Sequence, residues 1–244
     1  MTTRATVSSP ALTPALEIKQ LTVEYPDGDS ILKAMDRVNF SAQSGTMTAI
    51  VGPSGSGKST LLSVSAMLTK PTKGAILLGG QDVWQLTESE RAKIRRHEVG
   101  VVFQQPNLFG SLTSLEQLLV TSHVRGELKG GSKKERRATA QELLDLVGVG
   151  HLSDRRPHQL SGGQRQRVNV ARALMSNPSV ILADEPTAAL DEASSAAIVE
   201  LLAQVTNDLA VATVMVTHDT EFVSRCDAVY AMRDGVLNNE LVSA

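Results

Sequence analysis

Nine consecutive residues carry the most specific chemistry in this chain: Gly52, Pro53, Ser54, Gly55, Ser56, Gly57, Lys58, Ser59 and Thr60. They spell G-x-x-x-x-G-K-[ST], a phosphate-binding loop when a strand precedes it and a helix follows. The glycines let the backbone curl until successive N–H groups face phosphate oxygens. A helix starting there adds the positive end of its dipole. In such a loop Lys58 reaches the β- and γ-phosphates of a nucleotide, and the Ser59 hydroxyl ligates Mg²⁺.

A second set of reactive side chains follows apolar segments elsewhere. Asp184 and Glu185 come directly after Val180-Ile181-Leu182-Ala183. A carboxylate at Asp184 can hold Mg²⁺, commonly through one of the ion's waters. Glu185, one residue on, can turn towards a water in line with the γ-phosphate, which makes it the expected general base. Gln104 and His218 also follow apolar stretches, Val99–Phe103 and Val211–Val216. On the same edge as the acidic pair, Gln104 would contact Mg²⁺ and the attacking water, and His218 the γ-phosphate. In Leu160-Ser161-Gly162-Gly163-Gln164 the Ser and Gln are spaced as a capping box. Two glycines in a first turn nevertheless cost roughly 1 kcal/mol each against Ala. Close approach of the backbone to a ligand accounts for that cost, so this stretch reads as a second phosphate-binding helix N-terminus.

The elements that must position these groups can be read in order. Leu16, Ile18, Leu21, Val23 and Tyr25 alternate with one change of phase, as in a bulged strand. Pro26–Asp29 is a turn, and short strands are expected at Ile31-Leu32 and Val38–Phe40. Thr46–Val51 is the strand before the phosphate loop, and Leu61–Leu68 the helix after it. Pro71–Gly74 reads as a turn before a strand at Ala75–Leu78. Capping boxes at Thr87/Glu90, Thr113/Glu116 and Ser132/Glu135 open three helices, running to about Arg96, Arg125 and Val147. Gly130-Gly131 separates the last two. Strands at Val99–Phe103, Val180–Ala183, Val211–Val216 and Ala228–Met232 alternate with helices at Ser161–Ser176 and Glu192–Val205. Apolar strands alternating with helices imply an α/β fold with a mostly parallel sheet covered on both faces. Ligand chemistry then gathers beyond the carboxyl ends of the strands.

Composition bounds the rest. The chain has 244 residues, 41% of them hydrophobic, enough for one substantial core. Its 24 basic and 26 acidic side chains leave a net charge of −2, so no global field favours nucleic acid. Cys226 is the sole cysteine, which excludes an internal disulfide and fits a reducing compartment. No apolar run approaches the roughly 20 residues that span a bilayer. Residues 1–15 lack the apolar block of a signal peptide and read as a flexible tail on a cytoplasmic protein.

These motifs occur in the order found in ATP-binding cassette (ABC) ATPases, and the sequence resembles that family over residues 16 to about 240. Gly52–Thr60 looks like its Walker A loop, Gln104 its Q-loop, Leu160–Gln164 its signature and Val180–Pro186 its Walker B strand. Ala189-Leu190-Asp191 is similar to the D-loop and His218 to the H-loop. Tyr25 matches the aromatic position that stacks on adenine. The resemblance implies a RecA-like P-loop NTPase core, an N-terminal antiparallel β subdomain and an inserted helical subdomain at about 106–170. It implies ATP and Mg²⁺ as ligands, with Asp191 joining the nucleotide-binding set. It further implies a head-to-tail homodimer in which each ATP sits between Walker A of one copy and Ser161–Gln164 of the other.

Within the family, Val99–Gln105, Pro157-His158-Gln159 and Gln164–Val168 resemble stand-alone subunits of the MacB-like group. That resemblance implies a peripheral subunit at the cytoplasmic face of the plasma membrane, driving a permease with four transmembrane helices. Leu108, Phe109 and Leu112 are candidate apolar contacts for it. The sequence departs from the usual pattern at Ala188, where Gly is common, and at Asn169, where Ala is common. The run Ser63–Met67 departs from lipoprotein-release members, which tilts the expected cargo towards haem or another small hydrophobic molecule. Lipoprotein release, macrolide or peptide export, and cell-division signalling without transport are the alternatives.

Overall fold

The computed structural model describes residues 13–28, 30–124 and 132–240. The tail expected at residues 1–15 falls mostly outside them, as do Asp29, Arg125 and Gly130-Gly131. Ten strands and six α-helices are found among the described residues: β1 (Leu16–Asp27), β2 (Ser30–Ala42), β3 (Met47–Val51), α1 (Lys58–Ser65), β4 (Lys73–Leu78), β5 (Gln81–Asp82), α2 (Glu88–Glu98), β6 (Val99–Val102), α3 (Ser114–Val124), α4 (Lys133–Leu146), α5 (Gly162–Leu174), β7 (Val180–Asp184), α6 (Glu192–Asp208), β8 (Ala212–Thr217), β9 (Ala228–Arg233) and β10 (Val236–Glu240). They form two sheets. An antiparallel sheet has the order β2-β1-β4-β5, and a six-stranded sheet the order β10-β9-β3-β8-β7-β6. In the larger sheet every pairing is parallel except that of β10 with β9.

The period of two decides how the large sheet is covered. Met47, Ala49 and Val51 of β3 pack with Ile181, Ala183 and Met215 against the layer of α3 to α6. Ile50 packs on the opposite face with Leu182, Val214 and Val216, together with Leu61 and Val64 of α1 and with Leu16, Ile18 and Leu21 of β1. Helix α1 therefore shares one apolar core with both sheets. Central strands β3 and β8 are buried along their whole length, as parallel strands covered on both faces must be.

Three expectations need correction. Ile31-Leu32 and Val38–Phe40 belong to one strand, because β2 is an edge whose first four residues are exposed and whose polar members hide the alternation. The strand after α1 starts at Lys73, not Ala75. Gly74 is no turn residue: at φ 95° it lets two backbones meet, and a Cβ there would lie 2.6 Å from the Lys19 and Gln20 carbonyls. Strand β10 is an addition, polar at Asn238 and Asn239 and so without a strand pattern in the sequence. The capping boxes at Thr87, Ser132 and Ser161 are all formed, and Thr113 pairs reciprocally with Glu116.

Candidate functional site

Strand β3 runs straight into the Gly52–Thr60 loop, and α1 opens at Lys58. Its N-cap is Gly57, at φ 106° with no side-chain cap. Glycine is required there, since a Cβ would sit 2.6 Å from the Ala34 carbonyl and 2.7 Å from Cε of Met232. With no side chain closing its first turn, α1 presents its own N–H groups outward, the arrangement that binds an anion. Gly55 takes φ 80° with open space around it. The loop is braced from behind: Gly235 N–H donates to the Ser56 carbonyl at 3.0 Å, and Asp36 N–H donates to the Gly235 carbonyl at 2.9 Å. Lys58 is 6% exposed, its Nζ donating to the Gly52 and Pro53 carbonyls at 2.7 and 2.9 Å.

A cavity of about 590 Å³ opens over this loop, lined by Ser54, Gly55, Gly57, Lys58, Ser59, Thr60, Tyr25 and Glu185. Leu32 stands opposite Tyr25 in the β1–β2 pair and lines the cavity with it, giving an apolar end suited to a base. Leu32, Lys33, Ala34, Asp234 and Gly235 are wall residues that the sequence reading did not select. They come from an edge strand and a distant turn, and no motif marks either.

Strand β7 ends at Asp184, and Glu185 follows at φ 42° while its N–H still donates to Val216 at 3.0 Å. A left-handed glutamate costs about 1–3 kcal/mol and is strain of the kind found at functional sites. Oε1 of Glu185 lies 3.1 Å from Nδ1 of His218, with the two side chains 25% and 59% exposed. Burial first, and the Glu185 charge second, raise the Asp184 carboxyl above its ordinary value, while Lys58 opposes them. An oxygen donor of this kind suits Mg²⁺: a half-buried carboxylate that gains from a cation and feels the Lys58 charge at the start of α1. No cluster of three or more His, Cys, Asp or Glu occurs among the described residues.

The other predicted residues stand on separate elements. Ser161 caps α5, its Oγ accepting from Gln164 N–H at 3.2 Å while Gln164 Oε1 accepts from Ser161 N–H at 2.8 Å. The N–H groups of Gly162 and Gly163, in the first turn, have no partner within the helix. Packing explains part of the double glycine as well: a Cβ on Gly162 would meet Leu190 at 3.2 Å and one on Gly163 would meet Ser194 at 3.3 Å. Asp191 caps α6, accepting from Ser194 N–H and Oγ, both at 2.9 Å; those two bonds hold its carboxyl below the ordinary value. Gln104 is exposed just beyond β6. Gln104, Asp184, Asp191, His218 and Ser161–Gln164 are absent from the lining of the loop's cavity, although His218 reaches its Glu185 and lines a neighbouring cleft with Gly52 and Pro53. One chain thus brings together the loop, Tyr25, Glu185 and His218, and leaves the second helix N-terminus apart.

Comparison with known proteins bears on this arrangement. The family model described as "ABC transporter" matches residues 35–188. The lipoprotein-releasing system ATP-binding protein LolD of Shewanella sp. (strain MR-7) is 38% identical over 222 residues, covering 91% of this chain and 94% of that protein. The macrolide export ATP-binding/permease protein MacB of Shewanella oneidensis is 41% identical over 224 residues, and the match spans 33% of its length. Among solved structures, the dimeric post-hydrolysis state of the ATP-binding cassette MJ0796 bound to ADP and Pi is similar with a TM-score of 0.82. It is 37% identical and covers 94% of this chain and 99% of that one.

Proposed function

The chain belongs to the ABC transporter family, and from that premise we propose that it is the ATP-hydrolysing subunit of an exporter, closing on a second copy of itself and acting on a separate membrane permease. The observation that carries this reading is the split between two anion-seeking helix N-termini. Helix α1 shares a cavity with Glu185, whereas Ser161–Gln164 open α5 outside it. Each phosphate site is then finished by α5 of the partner copy.

In this reading Lys58 leaves its loop carbonyls for the β- and γ-phosphates, and the N–H groups of Gly55 to Ser59 surround them. Tyr25 and Leu32 flank the base. Ser59, Asp184 and Gln104 would hold Mg²⁺, which when bound would supply positive charge at the γ-phosphate. Glu185 accepts the proton of the attacking water. His218 holds Oε1 of Glu185 at 3.1 Å and so fixes the direction of its carboxylate. The Ser161 hydroxyl and the N–H groups of Gly162 and Gly163 bind the partner copy's γ-phosphate. Hydrolysis removes the charge shared across the interface, which opens the dimer.

No helix among the described residues is long and apolar enough to cross a membrane. The permease, with four transmembrane helices per subunit, would hold this chain at the cytoplasmic face. Phe109 is 59% exposed and suits that contact, whereas Leu108 packs on the core. Haem, the cargo towards which the sequence leaned, has no counterpart in the names of the relatives above; lipoprotein release and macrolide export do. The proposed cargo class is therefore a lipid-linked or amphipathic molecule, with lipoprotein release ahead of haem. The test is co-purification with the untagged permease, followed by ATP turnover in vesicles containing lipoprotein, macrolide or haem. Stimulation by lipoprotein supports the reading. Stimulation by haem alone overturns the cargo, and a chain that binds no permease overturns the exporter role.

A further inference from the structure

A buried polar seam joins the Q-loop to the helix that carries the signature residues. Gln166, Asn169 and Arg172 are spaced by three along α5, hence on one face of it. Nδ2 of Asn169 donates to the Phe103 carbonyl at 2.9 Å, and Nε2 of Gln166 donates to the same oxygen at 3.1 Å. Nη2 of Arg172 donates to Oδ1 of Asn169 and to the Pro106 carbonyl, both at 2.7 Å, and Nη1 donates to the Asn107 carbonyl at 3.2 Å. Asn169 also donates to Oε1 of Gln166 at 3.3 Å. Asn169 is 0% exposed and Gln166 1%.

Val168, Val170 and Ala171 beside Asn169 are equally buried. A buried amide is favourable only while its donors and acceptor stay paired. Any slip of residues 103–107 along α5 would strand several of these groups together, so the seam resists small displacements. The carbonyl that Asn169 grips belongs to the peptide leading into Gln104. Because that peptide is planar, holding its oxygen fixes the direction in which Gln104 leaves β6.

We propose that Asn169 is a positioning residue for ATP hydrolysis, clamping the Phe103 carbonyl to α5 so that Gln104 and the Ser161–Gln164 helix end move as one body. The inference rests on the reading of Gln104 as the contact to Mg²⁺ and the attacking water. Asn169→Ala removes the bond at 2.9 Å to the Phe103 oxygen and the acceptor for Arg172, leaving Gln166 to hold that oxygen at 3.1 Å. Asn169→Asp keeps the acceptor for Arg172 but turns a lone pair towards the Phe103 oxygen. Both variants are expected to bind Mg²⁺-free ATP within about twofold of wild type. At saturating MgATP their kcat should fall about tenfold, below the hundredfold that a 1 Å misplacement can cost. The Mg²⁺ concentration for half-maximal rate should rise in both.

Thr206→Val is the control. Thr206 is buried, and its hydroxyl bonds the Leu202 carbonyl and Thr213, away from the site. Its loss should lower thermal stability and leave kcat and Mg²⁺ dependence unchanged. Asn169 variants that behave like Thr206→Val overturn the proposal. Amide hydrogen exchange across residues 101–108 gives a readout separate from turnover: faster exchange in the Asn169 variants supports the clamp, and unchanged exchange overturns it. If neither variant folds, the wild-type chain decides, since residues 103–107 and α5 must open together in denaturant; separate opening refutes the clamp. A wild-type chain that hydrolyses no ATP would sink the reading of the site, while the exchange experiment still judges the clamp.

Discussion

Glu185→Gln isolates one chemical property at the centre of the site. The substitution keeps the shape of the side chain, and Oε1 can still accept from Nδ1 of His218 at the observed 3.1 Å. The left-handed backbone, φ 42°, is equally strained for Gln. Lys58, Ser59 and the loop amides are untouched, so ATP affinity should stay within about threefold, roughly 0.6 kcal/mol. What disappears is the ability to accept a proton. General-base catalysis is worth about 10²–10⁴ in rate. A thousandfold loss of kcat corresponds to about 4 kcal/mol of barrier. With hydrolysis blocked and binding intact, MgATP should hold two copies together. The assays are phosphate release in a single turnover and size-exclusion chromatography with and without MgATP. Turnover within about tenfold of wild type would remove Glu185 from the role of base. A variant that binds ATP yet stays monomeric would instead refute the shared site.

Ser161→Arg should leave ATP binding by the monomer unchanged and abolish ATP-dependent dimerisation, because the side chain fills the end of α5; light scattering of this variant in a Glu185→Gln background checks it. Gly57→Ala should lower Tm and eliminate measurable ATP binding, since the new Cβ meets the Ala34 carbonyl at 2.6 Å. Gly55→Ala, with open space around it, should cost only the left-handed strain of about 1–2 kcal/mol; equal losses in the two variants by thermal melting would contradict this. Asp184 has a raised carboxyl in the folded chain, so its ionisation opposes folding, and that cost grows as pH rises through the window above 3.8. Asp184→Asn should therefore melt higher than wild type at pH 7, with the difference shrinking towards pH 4, while Mg²⁺-dependent turnover falls. A gain that grows on acidification would reverse the sign of the argument.

The sequence alone determined the family and most of the architecture. Gly52–Thr60 specifies its own conformation through Gly55 and Gly57, whose positive φ other residues adopt only at a cost. The capping boxes at Thr87, Ser132 and Ser161 are local hydrogen-bond patterns, formed by residues three apart. Central strands such as β3 and β8 are legible because burial on both faces demands an unbroken apolar run. Edge strands are not under that demand. That is why β2 shows two apolar pieces and β10 no pattern; Gly74, in β4 between β1 and β5, resembles a turn residue because its φ of 95° serves a close approach of two backbones.

Tertiary structure decided what meets what. Tyr25 gains Leu32 as a partner only through the β1–β2 register, and the phosphate loop gains its brace only because Gly235 folds against Ser56 from the far end of the chain. Glu185 and His218 come within 3.1 Å because β7 and β8 are neighbours. Asn169 looked like a departure at a helical position, and the packing of α5 against residues 103–107 made it part of a seam. The separation of α1 and α5 is likewise a property of the assembled layers. Motif order in a linear chain carries no distances, so only the fold could place α1 beside Glu185 and the start of α5 outside that cavity.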